Sequence, residues 1–382
     1  MTDATRLRIG FIPLVDAAAL LVAVEKGFAA AEGLDVELVR EVSWANIRDK
    51  LAIGLFDAAH LLSPMALASS LGLGHVRAPL VAPLIMATNG NAITVSPALH
   101  AELAAGGAIG DPAASARAFA AVVEQRKRDG REPLTFGMTF PFSMHNYQLR
   151  YWLAEGGLDP DEDVRLVVLP PPYMVENLAR GQLDGFCVGA PWSSVAVEAG
   201  VGVILHFGCD IFRRAPEKVL ALRESAVEKT PDVAAALIRA VVKGAAHLED
   251  ADGRDEAARI MARPEFVGVD AAMIRRVLDG RLRVDALTER LAENYLVVGG
   301  RDAMRPQPWQ AEWIYAQMLR WRQARHSPSL ASEAKHVWRP DLYDVAVGGA
   351  AAPGDIGAFA GAPLDSRDIA AYLASFAIGQ RI

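Results

Sequence analysis

The 382-residue chain predicts an α/β protein of two lobes with a ligand cleft between them and a mostly helical C-terminal region. Three observations carry that expectation. A short punctuation is written twice, as "GLFDAAHLLSP" (54–64) and "GQLDGFCVGAP" (181–191), with Asp three residues and Pro ten residues after a Gly. Strand-like and helix-like periods alternate around each copy. Two apolar extended stretches, 79–96 and 202–212, stand where paired crossovers would carry the chain into and out of an inserted lobe. The length also favours two domains over one.

Taken in order, "RLRIGFIP" (6–13) reads as a strand, 17–31 as a helix that Gly33 stops, and "DVELVRE" (35–41) as a second strand, a βαβ beginning. "SWANIRDKLAIG" reads as a short helix with Ser43 as N-cap, Ile47 and Leu51 on its inner face and Gly54 as the stop. A strand ending at Pro64 follows, because Pro breaks strands. Segments 133–140, 144–157, 164–170, 174–181 and 185–191 repeat the alternation as a second α/β unit with its own sheet. In the repeated module a helix ends at Gly, Asp turns the chain, and a buried strand runs to Pro. Carboxyl ends of strands are where open α/β sheets hold ligands, so one such end from each lobe would face the cleft. G-x-x-D is also an ordinary turn, so coincidence is the alternative reading of the repeat, and what raises the duplication above it is that both copies sit after a helix and before another one. Helical spacing continues at 232–249, 270–279 and 308–323; 346–363 reads as a loose Ala/Gly/Pro-rich connector before a last helix at 366–377. The expected division is 1–88 for the first part of lobe 1, 89–207 for the inserted lobe 2, and 208–382 for the return to lobe 1 plus the helical C-terminal region.

With 39 basic against 46 acidic residues and no Lys/Arg-rich tract, the chain lacks the field that follows a phosphate backbone, which disfavours direct nucleic-acid binding. A small anion can still be held where a few donors and a cation outweigh a net charge of −7. The start, "MTDATRLRIGFIPLVDAAALL", has no basic region followed by an apolar run and cleavage site; with Met1 as the native start, the expectation is a cytoplasmic protein. "AAALLVAVEKGF" is interrupted by Glu25 and Lys26, so no membrane span is expected. Cys187 and Cys209 lack metal-site spacing and read as small buried apolar residues. No G-x-S-x-G, HExxH, P-loop or G-x-G-x-x-G after a strand supports catalysis, a cofactor or a metal.

Four places could meet an anion, and each has a plainer reading. Trp44 opens a helix, where an indole N–H joins free backbone donors, yet with Ile47 and Leu51 it also makes a core stripe. His145, Gln148 and Trp152 share one face of a helix that Ser143 would cap, and a lone helical His is commonly structural. Asn89 and Asn91 flank a Gly turn on the first crossover, where Asn is also used for left-handed geometry. Arg213, Arg214 and Lys218 follow the second crossover, and such clusters are usually solvated.

Several segments resemble a known family: "GFIPLVDAAALLVAVEKGF", "LDVELVREVSWANIRDKLAIGLFDAAHLLSPM", "NGNAITVS", "HNYQLRYWLA", "GQLDGFCVGAPW", "PEKVL" and "WRPDLY". They look like the nitrate- and bicarbonate-binding NrtA/CmpA proteins, and still more like the cytoplasmic nitrate/nitrite sensor NasS. The resemblance implies a type II periplasmic-binding-protein fold. It also implies an oxyanion pocket of Trp44, His145, Gly189 and Lys218, with Asn91 standing for a family Gln. Bicarbonate-binding relatives carry an acidic residue and calcium at the lysine position, so Lys218 favours nitrate or nitrite and argues against a metal. "CVGAPWS" departs from the family's "CVGEPWN", since Ala190 and Ser193 remove a carboxylate and an amide from the rim. The function implied is a non-enzymatic sensor that holds a NasT-like RNA-binding antiterminator without ligand and releases it when the anion closes the cleft. A solute receptor of a nitrate ABC transporter is the first rival. An iron-dependent, Cys-rich enzyme of this fold is the second, and two scattered cysteines do not supply it.

Overall fold

A computed structural model describes residues 4–379 apart from 108 and 353. In chain order its strands are β1 (Thr5–Phe11), β2 (Leu34–Arg40), β3 (Ala58–Leu62), β4 (Leu80–Asn89), β5 (Asn91–Val95), β6 (Thr135–Met138) and β7 (Arg165–Val168). They continue with β8 (Gly185–Gly189), β9 (Val203–Phe207), β10 (Pro216–Arg223), β11 (Arg281–Arg283), β12 (Glu289–Leu291) and β13 (Leu296–Val297). A six-stranded sheet runs β13-β4-β10-β3-β1-β2 and a five-stranded sheet β7-β6-β8-β5-β9, while β11 and β12 pair by themselves.

The two sheets share one plan. In each, a first strand lies parallel between its two successors: β1 between β2 and β3, and β6 between β7 and β8. In each, the third strand is then flanked by an antiparallel strand, β10 beside β3 and β5 beside β8. The doubled punctuation marks the entrance to that third strand. Gly54 and Gly181 adopt φ of 82° and 68°, a left-handed turn that glycine enters without a Cβ penalty. Asp57 then donates its N–H to the Arg8 carbonyl and accepts the Arg8 N–H on Oδ2, both at 2.8 Å. Asp184 does the same to Thr135, again with both bonds at 2.8 Å. One side chain thereby satisfies the backbone of the neighbouring strand and sets the registers Ile9↔Ala58 and Phe136↔Gly185. The prolines differ from expectation. Pro64 lies in the first turn of the helix Ser63–Leu71, and Pro191 directly precedes the helix Trp192–Glu198. A residue with no N–H and a fixed φ suits a helix start, where that N–H would lack an intrahelical partner anyway.

The chain passes between sheets through Asn89 and Gly90, at φ of 62° and 100°, and returns after β9. The return is not extended throughout, because Gly208–Ile211 forms a helical turn whose Asp210 Oδ2 accepts the Phe207 N–H at 2.9 Å. Gly27, at φ 75°, divides the expected helix 17–31 into Ala18–Glu25 and Phe28–Ala31. The stretch expected to be loose at 346–363 is pinned instead. Arg213 and Arg214 donate their N–H groups to the carbonyls of Gly357 and Ile356, and Phe359 donates to Ile211, all at 3.0 Å. Helices continue past residue 230 as expected, with Pro231–Ala246, Ala271–Leu278 and Pro308–Arg320 close to their sequence spans. Ala251–Met261, Pro328–Val337 and Pro340–Val347 are additional.

Part of this C-terminal region grips the helix Met144–Glu155. The Tyr151 ring meets Phe212, Phe359 and Phe376 edge-on at 5.1, 6.1 and 5.6 Å. Tyr147 donates its hydroxyl to Gln323 Oε1 at 2.7 Å, and Gln323 donates back to the Pro141 carbonyl at 2.8 Å. These contacts fix the orientation of the helix that presents His145 and Gln148. Among the described residues, no helix is long and apolar enough to cross a membrane.

Candidate functional site

Trp44 is the first residue of the helix Trp44–Ala52, so its indole stands at a helix N-terminus close to the carboxyl ends of β1 and β3. Ser43 occupies the N-cap position without making a side-chain capping bond. In the other lobe, Ser143 does cap its helix by accepting the Asn146 N–H at 3.1 Å, and His145 follows in the first turn. Asn91 opens β5 and is paired in register with Gly189 at the end of β8. Lys218 lies on β10 opposite Leu62, at an irregular step of its pairing with β4. The five residues singled out in the sequence thus converge, although they span positions 44 to 218. Trp44 is 2% exposed, and Asn91, His145 and Lys218 are 0% exposed.

Three residues missed in the sequence complete the cluster, namely Asp16, His60 and Glu217. Lys218 Nζ lies 2.8 Å from Asp16 Oδ2 and 3.0 Å from Glu217 Oε1, so the ammonium is already bracketed by two carboxylates. His60 Nε2 is 3.0 Å from Asp16 Oδ1, and His145 Nδ1 is 3.4 Å from Glu217 Oε1 and 3.1 Å from Thr139 Oγ1. The Lys218 ammonium also sits 5.5 Å from the centre of the Trp44 ring, a cation–π contact. Each missed residue had a weak signal in the sequence. Asp16 is a charge inside the apolar run "PLVDAAALL", His60 a polar residue inside the strand "AAHLL", and Glu217 the direct neighbour of Lys218.

Burial and pairing set the protonation states. Burial pushes the Asp16 carboxyl up, but Lys218 and His60 outweigh it and hold the group at about 2. Burial lifts Glu217 to about 7 in spite of Lys218. Burial would drain the proton from Lys218, yet Asp16 and Glu217 raise its affinity above the usual lysine value. Both imidazoles are driven toward the neutral form by burial. His60 is lowered despite Asp16, and His145 is lowered much further with Lys218 adding to the effect.

The amides are oriented by a backbone carbonyl, that of Gly208. Gln148 Nε2 donates to the Gly208 carbonyl at 3.4 Å, which turns Gln148 Oε1 toward Asn91. Asn91 Nδ2 donates to that oxygen at 3.0 Å and to Glu217 Oε2 at 2.7 Å. Both amide hydrogens of Asn91 are therefore used inside the protein, and its Oδ1 has no hydrogen-bond partner among the described residues. The same holds for Trp44 Nε1, His145 Nε2 and His60 Nδ1, which are buried with no hydrogen-bond partner among the described residues. A Cβ placed on Gly189 would lie 3.5 Å from Asn91 Oδ1 and 3.5 Å from Asp16 Oδ2, so a larger side chain there would push into the cluster. Among the described residues, no group of three or more His, Cys, Asp or Glu side chains is placed to hold a metal ion.

The site joins the two sheets. Trp44, His60, Glu217 and Lys218 belong to the six-stranded side, and Asn91, His145, Gln148 and Gly189 to the five-stranded side. Hydrogen bonds to backbone carbonyls cross between them as well, with the Val15 N–H donating to the Ala190 carbonyl at 2.9 Å and the Trp192 indole Nε1 to the Pro13 carbonyl at 3.3 Å. In this structure these side chains are closed off from solvent between the two sheets.

The sequence profile of the NMT1-like family matches residues 2–262. The chain belongs to this family. Among its relatives is the nitrate/nitrite binding protein NrtA of Nostoc sp., 31% identical over 350 residues that make up 89% of this chain and 76% of NrtA. The nitrate import ATP-binding protein NrtC of Synechocystis sp. is 37% identical over 350 residues, which are 88% of this chain but 49% of NrtC, so the chain spans about half the length of that relative. Among solved structures, the periplasmic nitrate-binding protein NrtA from Synechocystis superposes with a TM-score of 0.89 at 27% identity, covering 98% of this chain and 99% of NrtA. A Candida albicans protein with the generic periplasmic binding protein fold shares that fold at a TM-score of 0.54 and 13% identity, over 87% of this chain and 95% of its own. The architecture of the NMT1-like chain is accordingly the two-lobed type II periplasmic-binding-protein fold.

Proposed function

We propose that this chain binds nitrate or nitrite between its lobes and, as a cytoplasmic sensor, controls an RNA-binding antiterminator of the NasT kind, held without ligand and released when the anion closes the cleft. The observation that carries the anion reading is a set of buried ring nitrogens beside the Lys218 ammonium, Trp44 Nε1 and His145 Nε2 together with His60 Nδ1, that have no hydrogen-bond partner among the described residues. An unpaired polar group costs about 1–3 kcal/mol when buried, and a ligand oxygen would remove that cost. Nitrate spreads one negative charge over three coplanar oxygens, so it is suited to several donors from different directions and a cation. In this reading Trp44, His145, Lys218 and the Gly189 backbone face the anion, while Asn91 lines the site and holds Glu217. The nitrate and nitrite named for the NrtA relatives support the same ligand class. Binding is without catalysis, as in the relatives named as binding proteins.

The sensor role is supported by the resemblance of the quoted segments as a set, which look still more like NasS than like NrtA and CmpA. A second reading, a solute receptor of a nitrate ABC transporter, is supported by the relatives named for nitrate import. One experiment separates them. A NasT-like antiterminator immobilised with the purified chain should release it when nitrate or nitrite is added. Failure of the two proteins to associate in the absence of anion would remove the sensor reading and leave the receptor.

A further inference from the structure

The charges around Lys218 do not balance for an anion site. Among the described residues of the cluster, one ammonium faces two carboxylates, Asp16 at 2.8 Å and Glu217 at 3.0 Å, and all three side chains are at most 2% exposed. Adding a monovalent anion would leave an excess of two negative charges in a region sealed from water, where uncompensated charge is most costly. We propose that the site takes up its anion together with one proton, carried by Glu217, which makes Glu217 a determinant of which anions are bound and at what pH. This rests on the anion reading above.

Geometry favours Glu217 over Asp16 as the carrier. Asp16 has Lys218 on one oxygen and His60 on the other, whereas Glu217 Oε1 shares Lys218 with Asp16 and also faces His145 Nδ1 at 3.4 Å. The groups facing Glu217 are Lys218 on β10, Asp16 from the turn Val15–Ala17, His145 from the helix Met144–Glu155, Asn91 on β5 and Cys187 on β8, with His60 on β3 behind Asp16. Lys218 opposes protonation and Asp16 assists it. Burial favours it most, which agrees with the upward shift of this carboxyl.

The proton also alters what His145 presents to the ligand. When Glu217 is ionised, the proton of neutral His145 is drawn to Nδ1, facing Oε1, and Nε2 offers a lone pair that repels an anion. When Glu217 is protonated, Nδ1 can accept from the Glu217 O–H or from the Thr139 hydroxyl at 3.1 Å, and Nε2 carries the N–H. That nitrogen is the buried one without a partner. In balance, a proton from solvent forms the O–H bond on Glu217, the anion enters with its charge intact, and the net charge of the cluster is unchanged by binding.

The test is calorimetric titration of the full chain with sodium nitrate and sodium nitrite, at about pH 6 and about pH 8.5 in pairs of buffers with different ionisation enthalpies. The expected result is uptake of nearly one proton per anion at the higher pH, with Kd rising about tenfold per pH unit above neutrality. Glu217→Gln, checked for folding by its melting transition, should bind with little proton uptake and a flat pH profile. Binding at the higher pH without proton uptake in the wild-type chain would overturn the proposal while leaving the anion reading intact. Undiminished uptake in a folded Glu217→Gln variant would also overturn it. Should neither anion bind at either pH, it is the anion reading itself that fails.

Discussion

Replacing Lys218 by Met tests the site through its electrostatics, because Met keeps most of the side-chain volume and removes the charge. Lys218 holds Asp16 at 2.8 Å and Glu217 at 3.0 Å, and its ammonium lies 5.5 Å from the Trp44 ring. A hydrogen bond to a charged group contributes about 1.5–3 kcal/mol, and the anion would additionally meet the Asp16 carboxylate with no cation between them. A loss of at least ~3 kcal/mol in binding is expected, which is about 150-fold in Kd. The fold should also be affected, since removing one partner of a buried ionic cluster costs about 3–5 kcal/mol. At roughly 2 cal/mol/K per residue, that predicts a melting temperature lower by about 4–6 °C. Isothermal titration calorimetry with nitrate and a thermal melt of the ligand-free variant measure the two effects separately. A Kd within about threefold of the wild-type value, equivalent to ~0.65 kcal/mol, would refute the assignment of Lys218 to the anion site.

Trp44→Phe keeps an aromatic ring over Lys218 and removes the unpartnered indole N–H. It should weaken nitrate binding by about tenfold, one hydrogen bond, with an unchanged melting temperature. Gly189→Ala should be tolerated because its Cβ would meet neighbours at 3.5 Å, whereas Gly189→Val should abolish binding by intruding on Asp16 and Asn91; titration of both variants checks the contrast. Asp57→Ala and Asp184→Ala should each cost about 1–3 kcal/mol by leaving the Arg8 or Thr135 N–H unpaired, measured by chemical denaturation, with Asp184→Ala the more damaging because its partner is better buried.

The strand and helix periods of the sequence were sufficient for the two α/β units, because each depends on spacing within some ten residues. Asp57 and Asp184 were legible as turn residues, but their bonds to the backbone of the neighbouring strand were not, since those depend on which strand is placed beside them. Pro64 was misread because a proline that ends a strand and one that starts the next helix have the same local requirement, a residue without an N–H. The site was harder. Spacing cannot bring Trp44, His145 and Lys218 together, and it was family resemblance that joined them. Asp16, His60 and Glu217 were hidden because each lies in a segment whose apolar pattern accounts for it locally. Their partners sit 44 or more residues away, apart from the adjacent Glu217–Lys218 pair, and burial of a charge becomes visible once those partners are placed. The pinned stretch around Ile356–Phe359 was missed likewise, since its Gly- and Ala-rich composition resembles a linker and its order comes from backbone bonds to residues 211–214.

The central claim is that an oxyanion sits between the lobes against Trp44, His145 and Lys218. A crystal structure of the chain grown with nitrate tests it most directly. The account predicts a planar anion between the two sheets, within hydrogen-bond reach of Trp44 Nε1, His145 Nε2 and Lys218 Nζ. Nitrate bound elsewhere, with Lys218 still closed on Asp16 and Glu217 and no anion against the indole, would contradict it.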